Sequence, residues 1–558
     1  MVTRIRMTPP YSAHSRPTVP RPLRDGPDKP DRRDVLALVA GLAGAGLASP
    51  SLAWTGGIGA ALAQDPASAD PSLGDGDRFE AGKVVDLARA LAKKPFAAPP
   101  GDLPDPLNNL TYEQYVGIRP QTPALVWADE GRGFVVEPLH RGFVFTTPVA
   151  LHVVEDGTVR RLAYDRSRFS FGKLRPPEDG RDLGFSGFRL YASFGGNPPA
   201  DCAIFQGASF FRALAAGQSY GVTARALTLR PAEARGEEFP IFRAFWIERP
   251  NPGSGHIAIH ALVDSESATA ALHMTLRPGD ATIVDVEATL CPRTTLEHVG
   301  IAGITGAYLF GPNDRRTIDD ARAAAHETGA LQIRNGWGEA LWRPVQNPQT
   351  LQISAFMDQD PKGFGLVQRD RDFAAFEDDV QRWERRPSLW VEPLSTWGPG
   401  VAQRPWGAGA VQLIEIPSES EVNENILSYW RPKEPITRET AFSYRQFWGW
   451  TVPGEPPLAR CTGTRVGRGS SGKRRLFLVD FTGEAPFAAG IGSETLAATL
   501  GTSPGTITRQ KVYAYPERRT VRVAFELDPG NDTACELRLT LKAGDQPLSE
   551  TWLYRWTP

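Results

Sequence analysis

Between positions 337 and 450 the chain concentrates nine of its 14 tryptophans: Trp337, Trp342, Trp383, Trp390, Trp397, Trp406, Trp430, Trp448 and Trp450. Carboxylates are interleaved with them, among them Glu339, Asp378, Glu392, Glu415, Glu421 and Glu424. Tryptophan faces stack on the apolar C–H faces of sugar rings, so a cleft lined by them suits a glycan. A pair of carboxyl groups is what breaks a glycosidic bond: one protonates the leaving oxygen while the other activates the nucleophile. About half of these tryptophans are expected in the core of the fold.

Other chemistries find no footing. There is no phosphate-binding P-loop and no H-E-x-x-H zinc motif. His256 and His260 are four apart, but they sit in an alternating strand pattern, whereas a zinc pair wants one helical face. Gly467-Arg468-Gly469-Ser470-Ser471-Gly472-Lys473 is Gly-rich and basic without the P-loop order, and reads as a surface loop. Cys202, Cys291, Cys461 and Cys535 form no C-x-x-C. A Cys461–Cys535 disulfide and four buried thiols are both open. No metal or cofactor is expected.

The elements that must position this chemistry are mostly strands. Phe79 to Lys94 is the clearest helix, with Val84, Val85, Ala88, Leu91 and Ala92 on one stripe. Phe143-Val144-Phe145, Val149 to Val154 and Thr158 to Tyr164 read as a meander around the turn pair Asp156-Gly157. His256 to Leu262, Thr282 to Leu290, Val411 to Ile416, Val521 to Leu527 and Leu537 to Leu541 alternate as strands do. Many short strands separated by turn residues predict a mainly β chain: a large sandwich over 78–455, then a small immunoglobulin-like sandwich over 456–558. The boundary is set at the breaker cluster Pro453 to Pro457.

At the N-terminus, Arg32-Arg33 precedes an uncharged run from Val35 to Ala48, and Ala61-Leu62-Ala63 offers a cleavage site. This order predicts a twin-arginine export signal over 1–63, a polar linker over 64–77, and a mature protein working in the periplasm. The first 63 residues hold eight basic and four acidic residues, so the remainder holds 54 and 60. A mildly acidic chain without a basic stripe speaks against nucleic acid. No later segment reaches 18 apolar residues, so no stable membrane insertion is expected.

Longer motifs carry a resemblance. They include Asn108-Asn109-Leu110-Thr111-Tyr112, Asp182 to Phe188, Gly207-Ala208-Ser209-Phe210-Phe211-Arg212, Phe245 to Pro250, Leu309 to Asn313, Gln368 to Phe373, and Ser428-Tyr429-Trp430. In these the chain resembles the periplasmic glucan biosynthesis family, the MdoG/OpgG and OpgD proteins. The resemblance implies a mutarotase-like β-sandwich followed by an immunoglobulin-like domain. It also implies a role in making osmoregulated periplasmic glucans, through an inverting glycoside hydrolase or transglycosylase acting on a β-1,2-glucan backbone. The membrane glucan synthase is a candidate partner.

The family's two catalytic aspartates match Glu327, after His326, and Glu424, in Asn423-Glu424-Asn425-Ile426. Both carboxyls are kept, each one methylene longer. The resemblance makes Glu424 the general acid and Glu327 the general base. Trp337, Trp342, Arg343, Arg386, Trp390, Tyr429 and Trp430 are candidate substrate binders. An insertion between Trp397 and Val411, with Arg404-Pro405-Trp406, is expected to border the cleft. The alternative is a non-catalytic glucan-binding protein with both glutamates as vestiges.

Overall fold

The computed structural model describes residues 73–558 apart from 176–179, 316–317, 399–400 and 493, with backbone alone over 396–398 and 401–404. The expected export signal and most of the linker lie outside the described residues. The chain is mainly β. A first sheet of ten strands runs Phe134–His140, Phe185–Ala192, Ala200–Gln206, Phe210–Ala213, Thr223–Arg225, Val299–Gly306, Ile426–Pro432, Ala408–Glu415, Gln352–Gln359, with Thr228–Leu229 paired beside Val299–Gly306. A second sheet of fifteen strands packs across it.

Period-two alternation gives the first sheet two different faces. Val136, Phe188, Phe205, Phe211 and Ala224 point into the core, where Phe188 and Phe205 meet Phe245 of the second sheet at 5.0 and 5.6 Å between ring centroids. The residues between them form a cross-strand row on the other face. The register sets Glu137 opposite Arg189, Arg189 opposite Ile204, Ile204 opposite Arg212, and Thr223 opposite Thr305. A 2.6 Å bond from Arg212 Nε to Thr223 Oγ1 joins the two halves of this row. Polar side chains occupy it although it too is buried, and buried polar groups persist only with partners.

The helix Ala81–Ala92 lays Val84, Leu87, Ala88 and Leu91 on Trp246, Leu262 and Ala271 of the second sheet. Its last carbonyls lack helical partners. Arg293 donates to one of them, Leu91 O, at 2.9 Å, and to Lys94 O just beyond the helix at 2.8 Å. The hairpin Ala150–Glu155/Thr158–Arg161 turns at Asp156 and Gly157, both with positive φ (51° and 77°), as a two-residue hairpin requires. Phe143-Val144-Phe145 is a turn rather than a strand: Phe143 has φ 54°, which takes it out of the extended region.

The breaker cluster Pro453–Pro457 lies between strands Thr440–Gly449 and Arg460–Arg468. After it, Arg460–Arg468, Arg475–Thr482, Thr520–Asp528 and Thr506–Tyr515 form a four-stranded sheet. The opposing strands, Leu496–Ser503, Cys535–Ala543 and Thr551–Trp556, belong to the fifteen-stranded sheet, because Thr551 and Trp552 pair in parallel with Leu341 and Trp342. Strands from before and after the breaker cluster therefore share a sheet, a long-range pairing that local pattern does not encode. All four cysteines are buried free thiols, with Cys461 and Cys535 in the C-terminal core.

A charged anchor seals this junction. Arg369 donates to both oxygens of Glu550 (2.8 and 2.6 Å) and to Cys461 O (2.9 Å), while Glu550 accepts from Cys461 N at 3.0 Å. Glu550 is 1 % exposed. Glu550→Ala would strip the two-oxygen bond from the Arg369 guanidinium, leaving it Glu455 at 3.6 Å and Cys461 O, and should destabilise the protein by about 1–3 kcal/mol. Denaturant unfolding measures it; a midpoint unchanged from the parent would refute the anchor role.

Candidate active site

The strand Val299–Gly306 ends at a short polar junction. Thr305 Oγ1 donates to Glu424 Oε2, Ala307 N donates to Glu327 Oε1 at 3.1 Å, and Tyr308 N donates to Asn425 Oδ1 at 2.9 Å. Four consecutive residues thus hold both carboxyl groups that the sequence singles out. Glu424 sits in the loop between Ala408–Glu415 and Ile426–Pro432. Asn425 pins that loop, since its Nδ2 also donates to Ile416 O at 3.0 Å. Glu327 follows the two-residue strand Ala325–His326, and its own N–H returns to Ala307 O at 3.0 Å.

Gly306 stands between the two attachment points. A Cβ there would lie 2.3 Å from Thr328 Oγ1 and 3.3 Å from Val222 Cγ1. Thr328 adjoins Glu327, so a methyl group would push the segment carrying that carboxyl off the strand end. Gly306→Ala should cost about 1–3 kcal/mol, the usual cost of overpacking. Unchanged thermal unfolding would show that the segment moves aside freely.

The two carboxyls have opposite surroundings. Glu424 accepts from three donors: Arg212 Nη2, Thr223 Oγ1 and Thr305 Oγ1. The bond from Arg212 is charge-assisted, the stronger kind of hydrogen bond. Glu327 has one backbone donor and an Arg386 guanidinium 3.8 Å away. Desolvation pushes its carboxyl from the ordinary 4.5 up to about 7, with the charge of Glu424 adding to the rise and Arg386 opposing it. The neighbouring His326 is driven by burial down to about 3 and stays neutral, stacked on Tyr308 at 5.1 Å. The side chains of Glu327 and Glu424 are only 4 % and 6 % exposed.

Of the expected substrate binders, Arg386 alone is joined to this pair. It also donates to Tyr220 O and, at 2.9 Å, to Gln381 Oε1. Gln381 in turn donates to Glu421 at 3.2 Å, and Arg322 ties Glu421 to Asp378 and Asp320. The structure places the others elsewhere. Trp337 is 72 % exposed at the tip of the hairpin Ala330–Arg334/Ala340–Pro344. Trp342 and Trp390 are buried in the C-terminal core, with Arg369 3.6 Å over the Trp342 ring. Arg343 is paired with buried Glu415 at 3.0 Å. Trp430 is in the main core, and the Tyr429 hydroxyl is held by Gln412 and His298 at 2.6 and 2.7 Å.

Of the insertion, Trp406 lies away from the expected place. Trp406 is a core residue, its indole N–H donating to Ser443 O at 3.1 Å. The strand Ala408–Glu415 then separates it from the Glu424 loop by roughly 24 Å, at ~3.4 Å per residue.

Sequence reasoning did not assign Arg212, Thr223, Thr305 or Asn425 to the site. Arg212 and Asn425 stand in motifs that carried the resemblance, which was the available signal. Thr223 and Thr305 reach Glu424 only through sheet register. Among the described residues no three His, Cys, Asp or Glu side chains converge so as to hold a metal ion. No described helix is long and apolar enough to cross a membrane.

Comparison with known proteins shows the family. The family model described as "Periplasmic glucan biosynthesis protein, MdoG" matches residues 79–556. A Glucans biosynthesis protein G of Bradyrhizobium diazoefficiens is 42 % identical over 499 residues, covering 88 % of this chain and 96 % of that one. The protein of that name from Shewanella baltica (strain OS195) is 43 % identical over 493 residues, covering 86 % and 87 %. That from Rhodopseudomonas palustris (strain BisA53) is 40 % identical over 532 residues, covering 94 % and 100 %. With a family match over most of its length and relatives at this identity, the chain belongs to the MdoG family of periplasmic glucan biosynthesis proteins.

Proposed function

We propose that this protein acts in the periplasm on a β-1,2-linked glucan backbone, as an inverting glycoside hydrolase or transglycosylase with Glu327 and Glu424 as its carboxyl pair. The observation that carries the reading is the contrast between the two carboxyls. One is poised near pH 7 by desolvation, and the other accepts from an arginine and two hydroxyls. Environments that push two carboxyls apart mark an acid and base pair, and an inverting mechanism needs one protonated acid beside one ionised base. In the order the resemblance implies, Glu424 protonates the leaving oxygen and Glu327 activates the nucleophile. A base poised near the working pH suits that step. For Glu424 to act as the acid, the entering sugar must part Arg212 from it.

Linear β-1,2-glucan incubated with the protein, beside Glu327→Gln and Glu424→Gln, tests the reading. Shorter linear products lost in both variants mark a hydrolase; new linkages or rings mark a transglycosylase. The near-complete burial of both carboxyls favours a second reading, glucan binding without turnover. Binding that survives in both variants, with no products from the parent, would establish it.

A further inference from the structure

A second bridge joins the two carboxyls, apart from the strand end that holds both. It runs from Glu327 to Arg386, from Arg386 to Gln381, and from Gln381 to Glu421, which stands three residues before Glu424 in the same loop. Gln381 is its middle member.

The side chain at 381 meets two opposite demands. Arg386 can only donate, and an ionised Glu421 can only accept. An amide serves both at once, and in one orientation. Its Oε1 accepts from Arg386 Nη2 at 2.9 Å, while its Nε2 donates to Glu421 Oε1 at 3.2 Å. The main chain adds to the grip, since Gln381 O accepts from Arg386 Nε at 3.3 Å. Gln381 is itself held. Its N–H donates to Asp378 Oδ1 at 2.8 Å, and Arg322 ties Asp378 to Glu421 with contacts of 2.6 Å to each.

At the far end of this bridge the guanidinium stops short. Arg386 Nη1 lies 3.8 Å from Glu327 Oε2, beyond hydrogen-bond length, and donates to Tyr220 O. In contact, a buried guanidinium and carboxylate would form a charge-assisted pair, and a carboxyl so paired binds its proton weakly. The gap therefore matters to proton transfer at Glu327. The other groups that bear on Glu327 are Glu424, Arg212 and the Ala307 N–H, while His326 beside it stays neutral.

We propose that Gln381 is a positioning residue for the carboxyl pair: it holds the Arg386 guanidinium back from Glu327 and fixes that gap to the loop that carries Glu424. The inference rests on the reading of Glu327 and Glu424 as the reacting carboxyls. It adds a residue that acts through Arg386.

The test reads the ionisation of Glu327 in the full-length protein in two ways. One is the pH profile of β-1,2-glucan turnover. The other needs no sugar: it is the pH above which the gap in unfolding stability between each protein and its Glu327→Gln counterpart stops growing. In Gln381→Ala the guanidinium loses its amide anchor and closes on Glu327, so both readings should move down by about one pH unit. In Gln381→Glu the new charge draws Arg386 away and adds its own repulsion, so both should move up. A merely structural role would not shift them in opposite directions. Gln381→Glu keeps the shape of the side chain and carries the test if Gln381→Ala does not fold. The same pH in the parent and the variants, or a common direction of shift, would overturn the positioning role and leave the glucan reading standing. Opposite shifts in the sugar-free reading, with a parent that turns over no β-1,2-glucan, would overturn the glucan reading and leave the hold of Gln381 on Arg386 established.

Discussion

Azide should restore turnover to Glu327→Gln and do nothing for Glu424→Gln, whereas a glucoside with an activated aryl leaving group should be cleaved well by Glu424→Gln alone. Each substitution is expected to lower turnover of the glucan by about 10²–10⁴-fold, the usual contribution of one proton-transfer group. The rescues separate the roles because they replace different partners. A departing phenolate needs no proton, so it bypasses the acid. Azide needs no deprotonation, so it bypasses the base, and inversion at a β-linkage would leave an α-glycosyl azide. The opposite pattern would exchange the roles, and the surroundings give that exchange a physical basis: burial raises the affinity of Glu327 for a proton, while Arg212, Thr223 and Thr305 all donate to Glu424. Expressing the test as a pattern across two variants protects it from a trivial loss of folding, since an unfolded variant is rescued by neither reagent.

The amino-acid sequence made the strands legible because each buries one face, and alternation follows directly from the pleat. The Ala150–Glu155/Thr158–Arg161 hairpin was readable at Asp156-Gly157, since that pair supplies the two positive φ angles. The shared fifteen-stranded sheet was not readable. Its joining contact, Leu341–Trp342 with Thr551–Trp552, spans some 200 residues and leaves no local mark. The candidate carboxyl pair was named from motifs, and the environments that distinguish its members were not legible, because Thr223 and Thr305 become partners only by register. The tryptophans misled for a related reason. A large aromatic ring serves a core as well as a sugar, and Trp390 and Trp430 went to the core once neighbouring strands covered them.

The same two substitutions should move stability in opposite directions. In the folded protein Glu327 is protonated up to about pH 7, whereas an unfolded chain releases that proton near 4.5. Below 4.5 both states hold the proton and the site makes no difference. Between 4.5 and 7 the folded state alone keeps it, so stability falls as pH rises, by a total on the order of 3 kcal/mol, and stays low above 7. Glu327→Gln has nothing to ionise and escapes this loss. Relative to the parent it should gain little at pH 4.5 and on the order of 3 kcal/mol at pH 8. Glu424→Gln does the reverse, because it strips the charge that pairs with Arg212, whose side chain is 3 % exposed, and breaking such a pair costs about 3–5 kcal/mol. Denaturant unfolding of the three proteins at both pH values measures this. Parallel pH dependences for the parent and Glu327→Gln would mean that Glu327 ionises normally in the folded chain, and the argument from its raised proton affinity to a catalytic role would fall with it. A gain, in contrast, would identify Glu327 as a residue that weakens the fold near neutral pH, the pattern expected where a buried carboxyl is retained for chemistry rather than for stability.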